Sequence, residues 1–106
     1  MSFAQIGEDL RATAAAAHAQ YPQYKGHWDG WVVAQIKRQI RTKAGVAFTK
    51  GEWVLAKPEI REGKQLDGST YRSVTCYSVS NKMDTSVPAK DVHFPGGPFP
   101  VVQVDY

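Results

Sequence analysis

Three histidines, one cysteine and ten carboxylates are the side chains of this sequence that could hold a metal or move a proton. His18, His27 and His93 share no metal-ligand spacing of the His-Glu-x-x-His kind. His18 follows four alanines and reads as a surface or packing residue of a helix; His27, beside Trp28, reads as a loop residue with a stacked ring. Cys76 stands between Thr75 and Tyr77. A reactive thiol needs a neighbouring cation or a helix N-terminus to lower its pKa. Neither is adjacent, so Cys76 is expected to be a small buried residue. A dyad of Cys76 with His93 across neighbouring strands is the one nucleophile–base pairing the sequence offers. The carboxylates, from Glu8 to Asp105, are scattered, with no pair set for acid–base work. Gly63-Lys-Gln-Leu-Asp-Gly68-Ser-Thr70 has two glycines at phosphate-loop separation. It lacks the lysine after the second glycine and a following helix, and Asp67 would repel an anion, so it reads as a hairpin tip. No enzyme activity, metal or cofactor is expected.

Binding chemistry is easier to find. Lys37, Arg38, Arg41, Lys43 and Lys50 fall within residues 31–50 with no acid, a local charge of +5. The rest of the chain carries −2, and the total is +3. Such a patch can meet phosphates or an acidic protein, and it also fits a solvated helix face with cations toward its C-terminus. Tyr21, Tyr24, Trp28 and Trp31 crowd into eleven residues. Packing is expected for Trp31, while Tyr21, Tyr24 and Trp28 could anchor an interface. The C-terminal segment, with Phe99, Val102, Val104 and Tyr106, is too apolar to lie bare in water. It must cover its own sheet, a partner or a second copy.

These residues need elements to position them. Ser2 to Gln20 carries Phe3, Ile6, Leu10, Ala14 and Ala17 at helical period, with Ser2 and Gln5 at capping-box spacing. Tyr21-Pro22 ends that helix. Asp29 is a plausible cap for a second helix reaching Thr42, in which Val33, Ile36 and Ile40 form one stripe and the cations an adjacent one. After Gly45 the period falls to two. Val46–Thr49, Glu52–Lys57, Tyr71–Val79, Thr85–Val87, Asp91–Phe94 and Val101–Tyr106 read as strands, and Pro58–Ser69 as a long loop.

Residues 48–94 resemble an SH3-like small barrel. The likeness rests on Phe48-Thr-Lys-Gly51-Glu-Trp-Val-Leu55, the long loop after it, the strand at Val74–Tyr77, the turn at Asn81-Lys82 and Val87-Pro-Ala-Lys-Asp-Val92. In SH3-like barrels a short helical turn before the last strand often carries such a hydrophobic-Pro-x-x-x-hydrophobic run. Peptide-binding members carry an acidic first loop and a particular later tryptophan. Here the loop mixes charges and no tryptophan follows Trp53, so proline-peptide binding does not carry over.

The expected fold is therefore α+β: one domain over 1–106, with two N-terminal helices to residue 44 and a small antiparallel, SH3-like barrel or strongly bent sheet from residue 45. The expected function is a non-enzymatic protein-interaction module, an adaptor, inhibitor or accessory subunit. Nucleic-acid binding through the basic second helix is the alternative, and a small enzyme or ligand-binding protein the third. A lone cysteine and an N-terminus without a basic, apolar leader point to the cytoplasm. No apolar run approaches the ~20 residues a membrane helix needs.

Overall fold

Ser2 acts as the expected cap. Its Oγ accepts the Gln5 backbone N–H at 3.2 Å, and helix α1 runs over Phe3–Ala17. A cap of this kind is worth about 1 kcal/mol. The reciprocal half of the capping box is not made, because the Gln5 amide donates to Asp9 Oδ1 at 2.9 Å. The computed structural model describes residues 2–97 and 99–104. After α1 the chain turns through a 3-10 turn at Pro22–Tyr24.

The second helix expected over 29–42 does not form. Gly30 takes φ +83°, a left-handed geometry open to glycine. Strand β1 (Val32–Ile36) follows, then β2 (Ile40–Thr42) and β3 (Gly45–Phe48). Val32, Val33, Ile36 and Ile40 are β-branched, and their stiff side chains suit a pleated strand. The helical spacing of Val33, Ile36 and Ile40 is coincidental: Val33 and Ile36 lie on β1, which is covered on both faces, and Ile40 opens β2. Val33 lines a groove with Phe3 and Gly7 of α1, while Ala34 and Ile36 enter the core on the opposite face.

The remaining strands are β4 (Trp53–Ala56), β5 (Ile60–Lys64), β6 (Thr70–Ser78), β7 (Met83–Pro88), β8 (Val92–His93) and β9 (Val101–Gln103). A 3-10 turn at Ala89–Asp91 precedes β8. The main sheet is ordered β8-β1-β4-β6-β5-β9, with β7 on the other edge of β6. β2 and β3 form a separate two-stranded hairpin. The segment expected to be a long loop thus holds β5. Pro58, which has no N–H to donate, separates β4 from β5 along the same edge of β6. Lys57 N–H donates to Thr75 O at 3.0 Å and Arg61 pairs with Ser73, so Pro58–Ile60 bulge opposite Val74.

The sheet is neither wholly antiparallel nor closed. β9 runs parallel to β5, pairing Val101 with Ile60 and Val102 with Arg61. The path ends at β8 and β9. Closure would require those ends to meet, but β8 is two residues long and the Pro-Gly connector sends β9 to the far side of β5. The fold stays α+β, with one α-helix and nine strands among the described residues, in place of two helices and a barrel.

Period-2 alternation divides the apolar residues between two layers. Phe48, Ile36, Val54, Val74, Cys76 and Val87 fill one, all at 1% exposure or less. Ala14, Trp28, Trp31, Leu55 and Tyr77 fill the other, beneath α1. The buried residues of α1, Gly7 and Ala14, are both small, so the helix axis approaches the sheet closely. Arg11 crosses Gly7 and donates to Trp31 O at 2.7 Å.

Candidate functional site

The aromatic connection turns inward. Trp28 is only 4% exposed, so its role as a free anchor is overturned. The ring of His18, at the end of α1, sits 4.8 Å from Tyr24, 5.3 Å from Trp28 and 5.9 Å from Tyr77, centroid to centroid. Tyr24 stacks on Trp28 within 10° of parallel. His18 Nε2 and Tyr77 OH share a hydrogen bond of 2.8 Å. Burial pushes the Tyr77 phenol up, helped by the charge of Asp84 and by Tyr24. Aromatic bodies pack here while the polar tips of His18 and Tyr77 pair, and Trp31 is buried as expected. Tyr24 is half-buried, and Tyr21 alone of the three expected anchors stays exposed, at 47%.

The C-terminal residues divide differently. The Phe99 ring lies tilted against Phe94, centroids 4.3 Å apart, and packs against the core, so it is no surface anchor. Val101 and Val102 remain 43% and 41% exposed. Val104 is half-buried at the rim of a cavity of about 370 Å³ that includes Arg61, Tyr71 and Pro88. Tyr106 lies outside the described residues. The segment is not a loose arm, since it completes its own sheet. Ile60 N–H donates to Pro100 O and Val104 N–H to Glu62 O, each at 2.8 Å. The ladder to β5 uses alternate residues, so the backbone groups of Val101 and Gln103 face away from it, along a free edge.

Leu66, at the tip of the turn between β5 and β6, is fully exposed. β9 runs toward the same end of β5. Reading the sequence missed Leu66, although an apolar residue between Gln65 and Asp67-Gly68 in a turn was its signal. The turn is closed by Asp67, whose carboxylate accepts the Ser69 N–H at 2.9 Å and the Ser69 hydroxyl at 2.6 Å. Those bonds hold the Asp67 pKa below the usual range.

The five cations of residues 31–50 sit on and beside the β2–β3 hairpin. Arg41 lies on β2, Lys43 at the tip, and Lys37 and Lys50 at the base, where Gly51 N–H donates to Ile36 O at 2.8 Å. All five residues are exposed. The expected helix face is replaced by a strand hairpin, so the cations no longer lie one turn apart. Arg38 is engaged, pairing with Asp91 Oδ2 at 2.8 Å, and the hydrogen bond and charge of Asp91 raise its pKa.

The hairpin base is clamped to the sheet. Glu52 Oε1 accepts from the Thr49 N–H at 3.0 Å and the Thr49 hydroxyl at 3.2 Å. Glu52 Oε2 accepts from the buried Ser78 hydroxyl at 2.5 Å, and Asn81 Nδ2 donates to Ala47 O at 2.7 Å. This clamp joins residues up to 34 positions apart in sequence, and no local pattern announces it.

The Cys76–His93 dyad is not assembled. Cys76 pairs with Ala56 and Thr85, whereas His93 is exposed on β8 beside Gln35. Burial pushes the Cys76 thiol up from 9.0 to about 12, the opposite of nucleophile activation. Among the described residues, no three His, Cys, Asp or Glu side chains gather into a metal site, and no helix is long and apolar enough to cross a membrane. No protein family, curated protein or solved structure matches this chain.

Proposed function

We propose that this chain is a non-enzymatic protein-interaction module that receives an extended segment of a protein partner on the free edge of β9. One observation carries the reading. Of the five exposed large apolar side chains among the described residues, two, Val101 and Val102, are consecutive on β9 itself. Strand addition obtains affinity from main-chain hydrogen bonds and selectivity from pockets beside the edge. Val101 and Gln103 supply the first, and the cavity at Val104, Arg61 and Tyr71 the second.

The 3-10 turn at Ala89–Asp91, directly before β8, supports an SH3-like kinship in layout. The kinship contributes no ligand. A cytoplasmic setting remains part of the proposal, supported by a lone cysteine that is buried and needs no oxidising partner.

The test is capture from native extract by the full chain and by two variants. Val101→Lys places a charge on the edge, and Gln103→Pro removes an outward N–H that the β5 ladder does not use. Proteins held by the wild type and lost from both variants support the reading. An unchanged set of captured proteins overturns it. Concentration-dependent dimerisation abolished by Val101→Lys would identify a second copy as the occupant.

A further inference from the structure

We infer that the β2–β3 hairpin, with its flanks at residues 37–51, is a binding site for the phosphate backbone of duplex DNA, separate from the β9 edge. Five cations and no acid occupy those residues. Arg38 is committed to Asp91, which leaves Lys37, Arg41, Lys43 and Lys50 as exposed cations. Arg41 and Lys43 lie on a two-stranded ribbon outside the main sheet, with Lys37 and Lys50 at its base, and the tip over Thr42–Gly45 is exposed throughout. A two-stranded β-ribbon is one of the elements that the roughly 12 Å major groove of B-form DNA admits.

The composition of this surface selects the partner. None of the exposed large apolar side chains among the described residues lies on the hairpin. A protein partner would find no apolar anchors there to build a desolvated interface core. Phosphates need only cations and polar groups. The clamp of Glu52, Ser78, Thr49 and Asn81 fixes the ribbon on the sheet, so its cations are carried on an ordered element. Two acids adjoin the hairpin, and both are engaged: the Glu52 carboxylate accepts from Thr49 and Ser78, and Asp91 pairs with Arg38. The long flexible stems of lysine and arginine suit backbone contacts of low sequence preference.

Four phosphate contacts give a defined salt dependence. The slope of log affinity against log salt is about −0.9 per contact, hence about −3.6 in all. Raising salt from 50 to 200 mM would weaken binding about 150-fold.

The experiment titrates the full chain with a fluorescent 20-base-pair duplex of random sequence, the matching single strand, and polyglutamate, over 20–200 mM salt. Duplex binding with a slope of about −3 to −4 is the expected result. Arg41→Glu with Lys43→Glu should abolish it, whereas Lys25→Glu with Lys64→Glu, an equal charge change elsewhere, should weaken it at least tenfold less. Arg41→Gln with Lys43→Gln, a milder pair at exposed positions, should reduce the slope by about 1.8. Circular dichroism of each variant checks that the fold is kept. Absence of duplex binding at 20 mM salt, or equal loss in both charge-reversal pairs, overturns the site. Tighter binding of polyglutamate or of the single strand than of the duplex overturns duplex DNA as the ligand.

Discussion

The aromatic connection at Tyr21–Trp31 and the terminal strand at Val101–Val104 have similar apolar character, yet the fold treats them in opposite ways. Trp28 and Trp31 are covered by α1 and β6, while Val101 and Val102 stand at a sheet edge with more than 40% of their surface in water. The difference is one of neighbours. The connection follows α1 directly, and His18 and Tyr77 close over it. β9 has β5 on one side only. Apolar residues that can reach a second layer become core, and those that cannot mark an edge. The basic hairpin is intermediate, with cations outside and a base fastened inside.

Removing an inward aromatic tests that contrast most severely. Trp28→Ala should cost about 3–5 kcal/mol in urea unfolding, through lost burial and the void left behind. A cost below about 1 kcal/mol would mean that the connection is not core. Trp28→Phe should cost much less, since the indole N–H is buried without a partner among the described residues.

The hairpin clamp comes next. Glu52→Ala leaves the buried Ser78 hydroxyl without its acceptor and should cost about 1–3 kcal/mol. Amide exchange should quicken first at Gly45–Phe48. Uniform quickening over the whole chain would show that the hairpin is part of the global fold, with no independent clamp.

Cys76 gives the aliphatic layer a pH signature. Its folded pKa is raised, so the folded state keeps a proton that the unfolded chain loses. The contribution is full below the unfolded value of about 9, and is lost as pH rises from there toward about 12. In that window stability should fall by about 1.4 kcal/mol per pH unit from this group. Tyr77, shifted in the same direction, adds to the fall nearer its own range. Unfolding curves at pH 8 and 10 measure it, and Cys76→Ala should flatten the dependence. An unchanged alkaline slope in that variant would assign the effect to other groups.

The outward edge should show the smallest stability effect. Val101→Lys should change unfolding free energy by no more than about 0.5 kcal/mol, because an exposed edge residue gives up little burial. A loss above about 2 kcal/mol would place Val101 in the core and dissolve the contrast with Trp28.

Local chemistry was legible in the sequence wherever one residue decides an outcome. Ser2 caps α1, Asp67-Gly68 turns the chain, and the alternation through Tyr71–Val79 marks β6 and sends Cys76 inward. The inert thiol and the uneven charge, with its cationic block at residues 31–50, were legible for the same reason. The chain from 29 to 42 was misread because β1, buried on both faces, has no period of its own, and Val33 and Ile36 of β1 with Ile40 of β2 fall at helical spacing. β5 was hidden because Ile60-Arg-Glu-Gly-Lys64 is polar and gains its strand geometry from pairing with β6 and β9.

What the sequence alone determined, then, is the inventory: one capped helix, strand-forming stretches after Gly45, a cationic block and an apolar terminus. Tertiary structure decided which apolar residues vanish and which remain, that the cations ride a hairpin, and that the terminal strand joins β5 in parallel. Those outcomes depend on contacts between residues far apart in the chain, such as His18 with Tyr77 and Ser78 with Glu52. Local propensity is silent about them, because a side chain's exposure is set by what the rest of the fold brings against it.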